Sequence, residues 1–198
     1  MTTATTTTKR MTAEEFCDWV QLPENANKWF ELVRGEVIEL PSPRKIHGVV
    51  CVNVVTELNL YVRQRRKGYI TSNDSGVILE RDPDTVRGPD VALYEDASKF
   101  ADLHPKYGEV PPRLAVEVLS PDDKAKHVTR KITDYLNNGV DLVWLIDPED
   151  RTVTVYRRER GQYLRKVDEE LTGDDILPDF RCKVADFFCL PEEMPQPG

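Results

Sequence analysis

The sequence lacks several things, and each shortage removes a class of protein. No apolar run comes near the roughly 20 residues that a membrane-spanning helix needs, so a soluble chain with no membrane partner is expected. The first ten residues, Met1 to Arg10, carry no apolar core of the kind found in a secretory leader. They read as part of a flexible Thr-rich tail over residues 1–11, and the expected location is cytoplasmic. Cysteine is sparse: Cys17, Cys51, Cys182 and Cys189 form no C-x-x-C pair and have no nearby His at zinc-finger spacing. That argues against a zinc site and for reduced thiols in apolar surroundings, as in Val49-Val50-Cys51-Val52. Positive charge is in the minority. With 27 Lys and Arg against 35 Asp and Glu, the net charge of -8 argues against indiscriminate attraction to a phosphate backbone. It does not exclude an enzyme acting on nucleic acid, because bound divalent cations offset active-site carboxylates. A local patch, Arg63-Gln64-Arg65-Arg66-Lys67, could guide a strand, or could simply end a helix where cations are favoured.

What remains is the composition of an ordinary folded protein. At 198 residues the chain suits one domain that buries roughly 70% of its unfolded surface, expected over residues 12–190 with a C-terminal tail at 191–198. Thr12 followed by Glu15 has the spacing of a helix N-terminus, with Phe16, Trp19 and Val20 as its apolar face. Two short apolar runs flank Arg34-Gly35, which predicts a hairpin ended by Pro41-Ser42-Pro43. Val50, Val54, Leu58 and Tyr61 recur at helical spacing, and Gly68 follows that helix. Short strands are predicted at Tyr69–Thr71, Gly76–Leu79 and Val91–Tyr94, and a polar loop from Ala97 to Pro112. Arg113 to Leu119 reads as a strand, followed by a helix running to Asn138 and ended by Gly139. Leu142–Ile146 is unbroken and apolar, as in a strand covered on both faces. Strand, helix and strand over 113–146 predict a parallel crossover.

Two segments carry chemistry: Gly88-Pro89-Asp90-Val91-Ala92-Leu93 and Leu114-Ala115-Val116-Glu117-Val118-Leu119-Ser120-Pro121. Each embeds one carboxylate in an apolar run, and a buried carboxylate without a partner is costly. The two acids stand 27 residues apart, room for one loop and a return strand, so Asp90 and Glu117 could meet on neighbouring strands. Oxygen ligands of this type suit magnesium or manganese, which can polarise a phosphoryl oxygen. The plainer alternative has Asp90 capping a turn and Glu117 pairing with a core Arg. On the following helix Lys124, His127, Lys131 and Tyr135 share one strip beside the apolar face. A Lys there can lay its stem on the sheet and point its ammonium at the strand ends.

Taken in order, Phe30-Glu31-Leu32-Val33-Arg34-Gly35-Glu36, His47, Pro89-Asp90-Val91, Glu117-Val118-Leu119-Ser120-Pro121, Lys131, Tyr135 and Gly139-Val140-Asp141-Leu142-Val143-Trp144-Leu145-Ile146-Asp147-Pro148 resemble the Uma2 family of restriction-endonuclease-like proteins (DUF820), within the PD-(D/E)XK nuclease superfamily. The resemblance spans Thr12 to about Leu190. It implies a mixed α/β fold, a central mixed sheet flanked by helices, with Asp90, Glu117 and the Val118 carbonyl as ligands of magnesium or manganese. One departure stands out: the position two after Glu117, where the superfamily has Lys, holds Leu119. As in the Uma2 pattern, Lys131 takes that place from the helix. Glu31 is implied as a further metal or water ligand, and His47 as a phosphate or acid contact. The implied activity is metal-dependent hydrolysis of phosphodiester bonds, with DNA as substrate and a homodimer as the assembly. The competing class is a retired nuclease fold that serves as a binding or assembly module. The acidic balance and the missing Lys after Glu117 favour that class; the joint presence of Asp90, Glu117 and Lys131 weighs against it.

Overall fold

Thr12 opens the first helix with a reciprocal cap. Its hydroxyl accepts from the Glu15 amide at 3.2 Å and the Glu15 carboxylate accepts from the Thr12 amide at 3.0 Å. This satisfies two donors that the start of a helix leaves unpaired, and fixes α1 (Ala13–Trp19). The computed structural model describes residues 10–193; of the tails expected at 1–11 and 191–198, residues 1–9 and 194–198 lie outside the described residues, while Pro191–Glu193 form a short 3-10 turn. Met11 is already anchored, its amide donating to the Gly35 carbonyl at 3.0 Å.

The hairpin forms as expected between β1 (Trp29–Val33) and β2 (Glu36–Leu40). Arg34 and Gly35 both adopt positive φ, 52° and 78°, the backbone a tight two-residue hairpin demands. Gly35 is further required because a Cβ there would lie 2.4 Å from that of Arg10. The long α2 (Lys45–Arg65) follows, then β3 (Tyr69–Ser72), β4 (Val77–Glu80), β5 (Thr85–Arg87) and β6 (Val91–Tyr94). After a long loop come β7 (Leu114–Val118), α3 (Ala125–Asn137) and β8 (Leu142–Asp147). The chain closes with β9 (Thr152–Arg157), β10 (Gly161–Lys166), β11 (Glu170–Gly173) and β12 (Leu177–Lys183).

Six strands in the order β10-β9-β8-β7-β6-β3 make the central sheet. Only β7 and β8 run parallel, joined through α3, and every other pairing is antiparallel, so the sheet is mixed as expected. A second, antiparallel sheet has the order β2-β1-β5-β4. Strand alternation divides the central sheet cleanly. Leu114, Val116, Val118, Trp144 and Ile146 face one side, where α2 and the β11–β12 ribbon cover them. Ala115, Val143 and Leu145 face the other, under Ile132 and Tyr135 of α3. Phe30 and Leu32 of β1 turn instead into a separate cluster around Phe16.

Two expectations were incomplete. The strands β5, β10, β11 and β12 were not foreseen; β5, for one, is three residues with a single aliphatic side chain and carries no periodicity. The turn at Ser120–Asp123 that precedes the expected helix is closed by Asp123 accepting from the Ser120 amide at 2.7 Å, and the helix itself begins only at Ala125.

Trp144 is fully buried, its ring 5.4 Å from that of Phe180 and 6.2 Å from that of Phe187. Trp144→Ala should lower the unfolding free energy by about 3–5 kcal/mol, read as a reduced midpoint in urea titration.

Candidate active site

Asp90 sits at the residue before β6, and the β6–β7 register pairs Val91 with Val116. Carried one residue further, that register sets Asp90 opposite Glu117. Asp90 Oδ2 accepts from the Val118 amide at 2.7 Å, which ties the first carboxylate to the strand bearing the second. Glu117 shares its face of β7 with Ala115, so its side chain rises toward α3 rather than into the Trp144 side.

There it meets Lys131. The ammonium donates to Glu117 Oε2 at 2.7 Å, to the Gly88 carbonyl at 3.1 Å, and pairs with Glu31 Oε1 at 3.1 Å. The other oxygen of Glu117 accepts from the Tyr135 hydroxyl at 2.6 Å. Glu31, on β1, has both oxygens engaged. Arg87 donates to Oε2 at 2.6 Å, and the Gly88 amide and Lys131 approach Oε1. Arg87 in turn holds Asp134 of α3. His47, on the first turn of α2, places Nε2 3.2 Å from Asp90 Oδ1 and Nδ1 3.5 Å from the Cys51 sulfur.

All six residues singled out from the sequence, Glu31, His47, Asp90, Glu117, Val118 and Lys131, line one cavity of about 360 Å³. The geometry gives Glu31 the part of an acceptor that fixes Lys131 and Arg87, with no oxygen left without a partner. Three neighbours escaped the sequence reading. Asp74 lines the same cavity, brought there because Gly88 lets the chains touch; a Cβ on Gly88 would lie 2.6 Å from the Asp74 carbonyl oxygen. Asn73-Asp74-Ser75-Gly76 looks like any turn, so nothing in the local pattern marks it. Arg87 and Asp134 were missed for a different reason: their significance is a long-range contact between β5 and α3.

Burial and charge decide the electrostatics. Burial pushes Glu117 up to about 8, and Asp90 and Glu31 add to this despite the opposing Lys131. Burial, reinforced by Asp90, likewise lifts Asp74 to about 6. Glu31 is buried too, yet Lys131 and Arg87 outweigh the burial and hold its carboxyl below the usual value. For Lys131, burial favours loss of the proton, but Glu117, Glu31 and Asp90 more than reverse it, so the ammonium keeps its charge. The Asp90 carboxylate likewise outweighs burial at His47 and raises that imidazole. Burial raises the Cys51 thiol strongly, which leaves it a neutral, weak ligand.

The donor set fits a hard divalent cation. Asp90 and Glu117 bring carboxylate oxygens to one cavity, and the negative charge they carry there once ionised is what such an ion would neutralise. His47, Cys51 and Asp90 also form a group that could hold a metal ion, their ligand atoms within 4.8 Å of one another. With its thiol protonated, that group is the poorer match.

No curated protein matches the chain. Among solved structures, a protein of Anabaena variabilis ATCC 29413 described as "a putative nuclease belonging to DUF820" superposes with a TM-score of 0.74. It is 24% identical, and the match covers 90% of this chain and 97% of that one. That likeness is one of fold. The family model described as "Putative restriction endonuclease" matches residues 13–185, from the first residue of α1 to just beyond β12, and so takes in the whole cavity. The chain belongs to the Uma2 family.

Proposed function

We propose that the protein is a metal-dependent endonuclease that hydrolyses phosphodiester bonds in DNA. The observation that carries this reading is the convergence of Lys131 on Glu117 at 2.7 Å, beside Asp90 and in one cavity. Leu119 leaves the strand without the lysine that the chemistry needs, and α3 supplies one to the same carboxylate from another direction. Magnesium or manganese would be held by Asp90, Glu117 and the Val118 carbonyl, where it would polarise a phosphoryl oxygen and acidify a water. Lys131, charged and fixed by Glu31 and the Gly88 carbonyl, orients that water and stabilises charge developing on the phosphoryl group. Arg87 and Glu31 act as positioning residues behind it. His47 holds Asp90 through Nε2 and keeps that carboxylate turned toward the cavity.

The joint presence of Asp90, Glu117 and Lys131 in one cavity supports the catalytic reading over a retired site that serves only for binding. The experiment that separates the two is nicking of supercoiled plasmid in magnesium or manganese. Asp90→Ala and Glu117→Ala should each reduce the rate by about a hundredfold or more, and Lys131→Ala by a similar factor. Circular dichroism should show the fold intact in all three. Full cutting by both carboxylate variants would sink the assignment.

The raised carboxyls also fix the sign of a pH effect. Glu117 moves from 4.5 to about 8 and Asp74 from 3.8 to about 6, so the folded protein holds protons that the unfolded chain has released. Stability in metal-free buffer should therefore fall as pH rises from about 5 toward 8. Melting temperatures should show that decline in the wild type and a flatter profile in Glu117→Gln. Added manganese should restore stability increasingly as pH rises, because the ion competes with protons for the same oxygens. A manganese shift that shrinks with rising pH would contradict the assigned ligands.

A further inference from the structure

The walls of the cavity differ in chemistry, and that difference bears on which form of nucleic acid enters. The hairpin makes one wall. Strand alternation turns Trp29, Glu31 and Val33 of β1 toward the cavity while Phe30 and Leu32 enter the cluster around Phe16. Ile38 and Leu40, the cross-strand partners of Glu31 and Trp29, line the cavity on the same face. Trp29 is thus a partly buried aromatic on an apolar wall. Trp19, in contrast, packs its ring 4.8 Å from that of Phe30.

The N-terminal part of α3 makes the opposite wall, where Lys124, His127 and Arg130 line the cavity and are exposed. The other cations of the cavity are already committed: Arg87 to Glu31 and Asp134, Lys131 to Glu31 and Glu117. Lys124 and Arg130 have no ion-pair partner among the described residues. Asp122 and Asp123 line the same wall, Asp122 paired with Arg44 and Asp123 accepting from the Ser120 amide, and neither pairs with Lys124 or Arg130.

We infer that the cavity takes an unpaired DNA strand, with phosphates along Lys124, His127 and Arg130 and a base against Trp29. This rests on the nuclease reading for the identity of the polymer. A single strand presents an anionic edge and free base faces, matching one cationic wall and one apolar wall. A duplex hides its base faces in the stack and would set sugar-phosphate against Trp29, Ile38 and Leu40.

The test is fluorescence anisotropy of a fluorescein-labelled DNA strand, alone or annealed to its complement. Calcium is present to balance the floor carboxylates, and KCl is varied. The single strand should bind about tenfold tighter than the duplex or better. Trp29→Ala should weaken single-strand binding by about fivefold to a hundredfold with the salt slope unchanged, and Trp29→Phe should recover most of it. The double variant Lys124→Gln/Arg130→Gln, at exposed positions that the fold does not need, should flatten the slope of log affinity against log salt by about 1.4. Equal or tighter duplex binding, or an unchanged slope in the double variant, overturns the inference even if plasmid is cut. The expected binding pattern without any cutting upholds it and overturns the nuclease reading instead.

Discussion

The buried carboxylate of Glu31 is the constraint on which the site depends. Only 2% of the residue is exposed, so its charge must be answered by protein. Arg87, Lys131 and the Gly88 amide answer it, and each comes from a different place. Arg87 belongs to β5, Lys131 to α3, and Gly88 to the turn that leads into Asp90. One side chain thereby locks the smaller sheet, the crossover helix and the start of β6 to one another. Removing one partner from such a network costs about 3–5 kcal/mol, because it leaves a charge buried and uncompensated.

That lock has a consequence for chemistry. Lys131 is shared between Glu31 and Glu117, so its ammonium is held on both sides and remains charged in a buried setting. Glu117 receives a second hydrogen bond from Tyr135, one helical turn beyond Lys131. Two contacts from a single helix therefore set the position of one carboxylate, and the register of β6 on β7 sets the other. The cavity floor is preorganised by secondary structure, which is more rigid than a loop. Its walls are freer to differ, and they do: the hairpin face is apolar and the α3 edge cationic.

Much of this was legible along the chain. The Thr12–Glu15 cap, the Arg34-Gly35 turn and the apolar periodicity of α2 are local codes, read within a few residues. The parallel crossover over residues 113–146 was legible because an unbroken apolar strand needs both faces covered. Asp90 and Glu117 stood out because a carboxylate is anomalous in such runs. Arg87 and Asp134 did not, since each sits in a segment whose local pattern is unremarkable. No local pattern distinguishes Trp29 from a packing residue of its hairpin, whereas the alternation of β1 turns it into the cavity.

Sequence by itself therefore determined most of the elements, the family and the pair of acids that chemistry singles out, because these depend on neighbours within a turn or a strand. Tertiary structure decided everything that depends on a partner far along the chain. It put Lys131 where Leu119 could not serve, made Glu31 the anchor of two cations, and brought Asp74 across Gly88 into the cavity. Those outcomes follow from the close approach of separate elements around a buried charge, and no local pattern encodes a distance between elements.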